Sequence, residues 1–396
     1  MKLLLLTEYF APHAGGTAVY YYEICRRLRS LDVTVVTRMS RGAVAFDRGL
    51  PFTVIRTPFL PVRKIRVIVE WWAQFLVGLW LVLSRRADVV HAGQVYPVGL
   101  AAYGIHVITG VPYAVYIFGE DITIASRHRL RRAAVALVLR HAAAVFVISR
   151  FSRAQVIGLG VERGRIHLAR PGVDAQRFRP ADAASFRSRF DGDGRYVLLT
   201  TGRLIPRKGQ DTVIEVLPQI AAAVPNVTYW IAGGGSVRQR QKLERLAAAA
   251  GVADRVRFLG EVPADDLPTL YAACDVFVML NRTTPDGDTE GYGMVFVEAG
   301  ACGRSVVGGR AGGAGEAIRH GRTGFLVPEG DDATAVATLI RLLRDPQLRT
   351  RLGEAGRRRA VSRLSWDGTA RRVERVTKAL ERSRVRPAVA VEERVT

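Results

Sequence analysis

The sequence has little cysteine, little lysine and no apolar run long enough to span a membrane, and each scarcity narrows what the chain can be. Cys25, Cys274 and Cys302 are odd in number and never spaced Cys-x-x-Cys. That argues against a disulfide framework or a thiolate metal site and for buried thiols in a reducing cytosol. Lysine is confined to Lys2, Lys64, Lys208, Lys242 and Lys378, although lysine and arginine together number 58, so the formal charge of +22 is carried by arginine. Neither zinc spacing nor an aromatic RNA-binding signature accompanies that charge. Nucleic acid is therefore set aside as a partner, and an anionic substrate or anionic membrane remains. The apolar stretch Ile65 to Leu83 is free of charge only from Trp71 through Ser84, short of the roughly 20 residues a spanning helix needs. Met1-Lys2 leads straight into Leu3-Leu4-Leu5-Leu6, too short for a signal-peptide core, and the run reads as a first strand.

What is present is a repeated alternation. An apolar run over residues 2–7 is followed by Gly15-Gly16 and a helical pattern from Thr17 through Leu28, the opening unit of a doubly wound α/β domain. Further strand-like runs lie at Val33–Thr37, Phe52–Arg56, Asp88–Ala92, Tyr113–Phe118 and Ala144–Ser149. The rhythm loosens through Phe178-Arg179-Pro180 and Phe190 to Gly194. It resumes with Tyr196–Thr201, Thr228–Ala232, Val256–Leu259, Asp275–Leu280 and Ser305–Val307, with helical stretches at Asp211–Ala223 and Val237–Ala249. A chain of 396 residues accommodates two such domains. The expected division is 1–180 and 195–365, with a last helix at 366–384 and a disordered tail at 385–396. The alternation predicts parallel sheets, with a ligand site between the two domains.

Within this frame a few residues can carry chemistry. Glu290 and Glu298 are separated by seven residues, with Gly291 and Gly293 just after the first. If Tyr292 opens a helix, both carboxylates can face one small ligand. Arg203 and Lys208 sit where the second domain's first strand ends, in reach of an anion over the next helix N-terminus, whereas Arg207 reads as surface charge. Gly233-Gly234-Gly235 and the Ala311 to Glu316 stretch are glycine turns after strands, without a Walker lysine-serine pair or a dinucleotide fingerprint. Asp286 and Asp288, beside Pro285, read as solvated turn acids rather than metal ligands. Ile65 to Leu83 carries Trp71, Trp72 and Trp80 between basic flanks, and Arg127-His128-Arg129-Leu130-Arg131-Arg132 is a second basic helix start. Such helices suit an anionic membrane surface on one face and a core on the other.

Glu290 and Glu298 match the Glu-x7-Glu motif of retaining glycosyltransferase family 4, and Gly291-Tyr292-Gly293-Met294-Val295-Phe296-Val297-Glu298 resembles the segment in which that motif is embedded. Arg203 and Lys208 are similar to the family's paired diphosphate-binding cations. Gly15-Gly16 resembles its N-domain glycine loop, and Pro171-Gly172-Val173-Asp174 the segment closing its first domain. The resemblance implies a GT-B fold, two Rossmann-like domains facing across a cleft, with the final helix returning to the first. It implies donor binding by Gly15, Gly16, Arg203, Lys208, Gly291, Tyr292, Gly293, Met294, Val295 and Glu298. Glu298 would accept from ribose hydroxyls, Glu290 would contact the transferred sugar, and Arg203 and Lys208 would neutralise the leaving diphosphate. No metal and no cofactor is implied.

One departure stands out. Where many relatives have His-Gly before an acidic residue, this chain has Phe118-Gly119-Glu120-Asp121. A histidine contact is not carried over, and Glu120 and Asp121 become candidates for an acceptor or sugar contact. The motifs look closest to GDP-mannose-dependent phosphatidylinositol mannoside mannosyltransferases. That suggests GDP-mannose as donor, a lipid or glycan acceptor, and a cytoplasmic enzyme held peripherally at the inner face of the cell membrane. A UDP-sugar transferase or UDP-sugar 2-epimerase on the same fold stays open, as does a basic membrane-surface or nucleic-acid adaptor without transfer activity.

Overall fold

The computed structural model describes residues 1–13, 15–58, 63–125, 129–190 and 192–385. For helix residues 63–68, 120, 124–125 and 382–385 only the backbone is described. Arg127, His128 and the expected tail beyond residue 385 lie outside the described residues. The chain divides into two compact units, Met1–Ala169 with the returning helix Trp366–Val385, and Arg170–Ser365.

The strands of the first unit are β1 (Lys2–Leu6), β2 (Asp32–Arg38), β3 (Thr53–Thr57), β4 (Val89–Ala92), β5 (Tyr113–Ile117), β6 (Ala144–Val147) and β7 (Ile166–Leu168). They pair in parallel in the order β3-β2-β1-β4-β5-β6-β7. Its central strands are near-continuous apolar runs, since helices cover both faces of such a sheet; every residue of Tyr113–Ile117 is buried. The helix Trp366–Val385 belongs to this core: Trp366, Ala370, Val373 and Leu380 are buried, and Thr377 Oγ1 meets His91 Nε2 at 3.2 Å. Burial brings His91 down to about 3, so this imidazole is neutral. His106 and His141 bond backbone carbonyls of Val111 and Leu137, structural roles in keeping with their helical positions.

The second unit holds β8 (Tyr196–Thr201), β9 (Val227–Ala232), β10 (Val256–Gly260), β11 (Val276–Met279), β12 (Ser305–Gly309) and β13 (Gly324–Val327). All are parallel, in the order β10-β9-β8-β11-β12-β13. Helix Val237–Ala249 starts where Ser236 Oγ accepts the Gln239 N–H at 3.2 Å, a side-chain cap for an otherwise unpaired donor. In both sheets the order reverses beside the first strand, between β1 and β4 and between β8 and β11. Loops from the carboxyl ends of such a strand pair border a ligand crevice.

The expected boundary at residue 180 moves to Ala169. Residues 170–180 are tied into the second unit: Arg170 Nε meets Glu316 Oε2 at 2.8 Å, the Val173 N–H donates to the Leu364 carbonyl at 2.7 Å, and the Phe178 ring packs on Tyr271. The helix Ala184–Arg189 follows suit, with Arg187 on Asp275 at 3.2 Å.

Candidate active site

The second unit's reversal point gathers the residues that matter. The loop after β8 turns through a short 3-10 segment, Pro206–Lys208, and ends at Gly209, which opens helix Gln210–Ala223. Gly209 has φ 68°, and a Cβ there would lie 2.0 Å from the Leu280 carbonyl oxygen. Only glycine lets this loop lie against the one that follows β11.

Across that contact sits Glu290, buried, with three donors on its carboxylate. Lys208 Nζ reaches Oε2 at 2.6 Å and Arg207 Nη1 the same oxygen at 3.1 Å, while the Gly293 N–H donates to Oε1 at 3.1 Å. Burial alone would raise the Glu290 carboxyl, but Lys208 and Arg207 outweigh it and bring it down to about 2. Burial pushes the Lys208 ammonium below its ordinary value against the pull of Glu290, and Arg207 and Arg203 add to that push. Lys208 and Arg207 are met by Glu290, and Arg207 also by Asp288. Arg203 stands exposed at the edge of this cluster, and among the described residues its guanidinium has no ion pair. That leaves one exposed guanidinium able to pair with an anion.

Tyr292 does not open the helix. The helix is Met294–Ala301, and Gly293 precedes it with φ 85°. The turn at Gly293 lets Glu290 reach back to its N–H, which displaces the expected start by two residues. Glu298 is half-buried on that helix. The Tyr271 hydroxyl donates to its Oε2 at 2.8 Å and meets Thr201 Oγ1 at 2.8 Å. A hydrogen-bonded line thus runs from the end of β8 to Glu298, while Glu290 belongs to the cation cluster. Tyr292 is buried, and Met294 and Val295 on the first turn are half-buried.

Two further residues of this site read differently from sequence. Arg207, taken there as surface charge, is buried against both Glu290 and Asp288, the latter at 3.2 Å. Asp288 is accordingly an ion-pair partner, not a solvated turn acid; Asp286 is exposed. Adjacent cations on a tight turn ordinarily diverge, and only the wrapping of the 280–290 loop around the turn brings both inward. Tyr271 and Thr201 carry no sequence signal, because neither lies near the Glu-x7-Glu segment. Among the described residues no group of three or more His, Cys, Asp or Glu side chains is placed to hold a metal ion.

In the first unit, Gly15 and Gly16 are exposed ahead of helix Gly16–Cys25, with Gly15 at φ 145°, backbone geometry that L side chains rarely adopt. Glu120 opens helix Glu120–Ala125. Asp121 Oδ2 accepts the Phe118 N–H at 3.0 Å, a local role for that carboxylate. The Phe118 ring stands edge-on to Tyr20 and Tyr21 at 5.3 and 5.7 Å. A phenyl ring suits this aromatic nest where an imidazole would need a polar partner.

Two Rossmann-like units, one bearing an anion-seeking cluster at its reversal point, define a protein built to hold a negatively charged ligand, as nucleotide-handling enzymes are. The comparisons give that class its family. Residues 14–177 match the family model for Glycosyltransferase Family 4, and residues 182–359 that for Glycosyl transferases group 1. A GDP-mannose-dependent alpha-(1-6)-phosphatidylinositol monomannoside mannosyltransferase of Mycolicibacterium smegmatis is 33% identical over 378 residues, covering 92% of this chain and 95% of that one. A D-inositol 3-phosphate glycosyltransferase of Acidothermus cellulolyticus is 33% identical over 390 residues, 90% of this chain and 84% of the other. Among solved structures, Anabaena HepE in complex with UDP and glucose superposes with a TM-score of 0.82 at 23% identity, over 96% of this chain and 100% of that chain. The chain belongs to glycosyltransferase family 4. It is a hexosyltransferase of GT-B fold.

Proposed function

We propose that the protein transfers mannose from GDP-mannose to a lipid-linked acceptor, with retention at the anomeric carbon and without a metal ion. The observation that carries this is the cluster of Lys208 and Arg207 on one buried carboxylate, with Arg203 exposed beside it. As the bond between the sugar carbon and the donor phosphate oxygen breaks, negative charge grows on the leaving diphosphate. Fixed cations there stabilise the transition state more than the ground state. Glu290 holds those cations in place at the sugar end of the site, with the Gly291 to Gly293 backbone beside it, and Glu298, oriented by Tyr271, accepts from the ribose. The acceptor hydroxyl forms the new bond from the face the diphosphate leaves, and its proton passes to the departing phosphate oxygen. In the first unit, Gly15 and Gly16 are offered as donor contacts and Glu120 and Asp121 as acceptor contacts.

Mannose and GDP are favoured by the names of the mannosyltransferase relatives at about one-third identity. Purified protein given GDP-mannose and UDP-hexoses separately, with membrane extract as acceptor, is expected to release GDP and yield an α-linked mannolipid. Release of UDP alone would move the assignment to a UDP-sugar enzyme. Binding to vesicles with no nucleotide released would return the chain to a non-catalytic adaptor.

The membrane side of the proposal rests on helix Arg63–Leu83. Trp71 and Phe75 pack inward, whereas Val69, Trp72, Leu76, Trp80 and Leu83 form an exposed stripe at three- and four-residue steps. Arg86 lies 5.0 Å from the Trp80 ring centroid, at the helix end where Arg85 is also exposed. Exposed Leu130 stands among Arg129, Arg131 and Arg132 on helix Arg129–His141. No helix among the described residues is long and apolar enough to cross a bilayer. An aromatic stripe rimmed by arginine suits a helix lying in an anionic interface.

A further inference from the structure

Away from the donor loops, the second unit has an arginine-lined concavity of about 380 Å³. Arg319 and Arg322 come from the loop between helix Ala314–Ala317 and β13, and Arg358, Arg359 and Arg363 from the last turns of helix Pro346–Arg363. Among the described residues no carboxylate lines it. Elsewhere in this unit arginines meet acids, as Arg187 meets Asp275 and Arg282 meets Asp211. Here the one ion pair among the described residues is Arg358 with Glu354 at 3.4 Å, both largely exposed, and such pairs hold little. Arg319, Arg322 and Arg363 have no acidic partner among the described residues.

Arg359 is fixed differently, by hydrogen bonds from its guanidinium to the Glu316 and Ala317 carbonyls. Burial and the neighbouring Arg319 and Arg170 pull it below its ordinary pKa. A helix C-terminus favours nearby cations, which accounts for Arg363 but not for Arg319 and Arg322 on a separate loop. Two elements place five arginine side chains around one concavity, three of them without an acidic partner among the described residues, and arginine is the side chain whose fork grips tetrahedral oxyanions.

We infer that this concavity is a second anion site, distinct from the donor site, that binds a phosphate-bearing ligand. The phosphate is supplied either by a lipid headgroup or by a soluble phosphate ester, and the concavity has room for more than the phosphate itself.

Inorganic pyrophosphate titrated calorimetrically into the full chain is expected to fill two sites. Arg322→Glu with Arg363→Glu, both exposed and without a side-chain hydrogen bond among the described residues, removes one of them, weakening it at least about tenfold through lost charge-assisted contacts. Lys208→Ala weakens the other, so failure of this inference and failure of the donor-site assignment are separable. An unchanged melting temperature in the double variant shows that the fold is intact. Sedimentation with phosphatidylinositol vesicles, against phosphatidylcholine controls, identifies the source. A loss of sedimentation in the double variant assigns a lipid headgroup, and unchanged sedimentation with the pyrophosphate site lost assigns a soluble ester. If the double variant matches the parent in both assays, the inference is wrong.

Discussion

Lys208 and Glu290 form a buried pair, in which burial pulls the ammonium below its ordinary pKa, while Lys208 and Arg207 pull the carboxyl down against burial. In the proposed reaction, removing Lys208 takes away a contact that strengthens as the diphosphate leaves. Lys208→Ala is therefore expected to lower turnover by roughly 10²- to 10³-fold, read from initial rates of nucleotide release. Arg207 would keep Glu290 paired in that variant, so the fold should survive. The same carboxylate makes an acid-stability prediction. Its folded pKa of about 2 lies below the ordinary carboxyl value of 4.5, so the stability it contributes, about 3 kcal/mol, is complete above pH 4.5 and fades as pH falls towards 2. Glu290→Gln lacks this dependence. The gap in melting temperature between parent and variant should narrow as pH is lowered through that window.

Glycine decides how the loops of the second unit can lie together. At Gly209 an added Cβ meets a backbone oxygen that cannot swing aside, so Gly209→Ala should destabilise the unit by at least about 2 kcal/mol, seen as an earlier urea midpoint. The outward stripe of helix Arg63–Leu83 makes a different forecast. Trp72→Ser with Trp80→Ser should cut sedimentation with anionic vesicles severalfold at low salt while leaving the melting temperature nearly unchanged, because both rings are exposed.

Elements such as Val237–Ala249 were legible to the residue, because a serine cap and a strong apolar period agree. Ile166–Leu168 and Gly324–Val327 were not. Each is a short sheet-edge strand, and His167 or an opening glycine interrupts the apolar run. Arg203, Lys208, Glu290 and Glu298 could be named from their motif. The burial of Arg207 against Glu290 and the tyrosine behind Glu298 could not, since those contacts join residues 83 and 27 positions apart in the chain.

The two units differ in how they draw on the chain. The second is one continuous segment, Arg170–Ser365, whereas the first needs Met1–Ala169 together with Trp366–Val385. Trp366 packs edge-on to Tyr20, Arg372 Nη1 donates to the Leu168 carbonyl at 3.3 Å, and Thr377 reaches His91. A chain ending at Ser365 should therefore keep a protease-resistant fragment from its second half and lose resistance in its first. Limited proteolysis with fragment mapping checks this.

The returning helix also orders events during synthesis. The first unit's sheet is complete in sequence by Leu168, yet its closing helix is made last. At about 5–20 residues per second, roughly 10–40 s separate the end of that sheet from the helix that covers it. Throughout that interval the surface around His91 and Tyr20 waits open while the second unit emerges and folds. The half of the protein made first thus waits for its closing helix until the second unit has been made, and for that time its exposed apolar surface is open to whatever binds nascent chains.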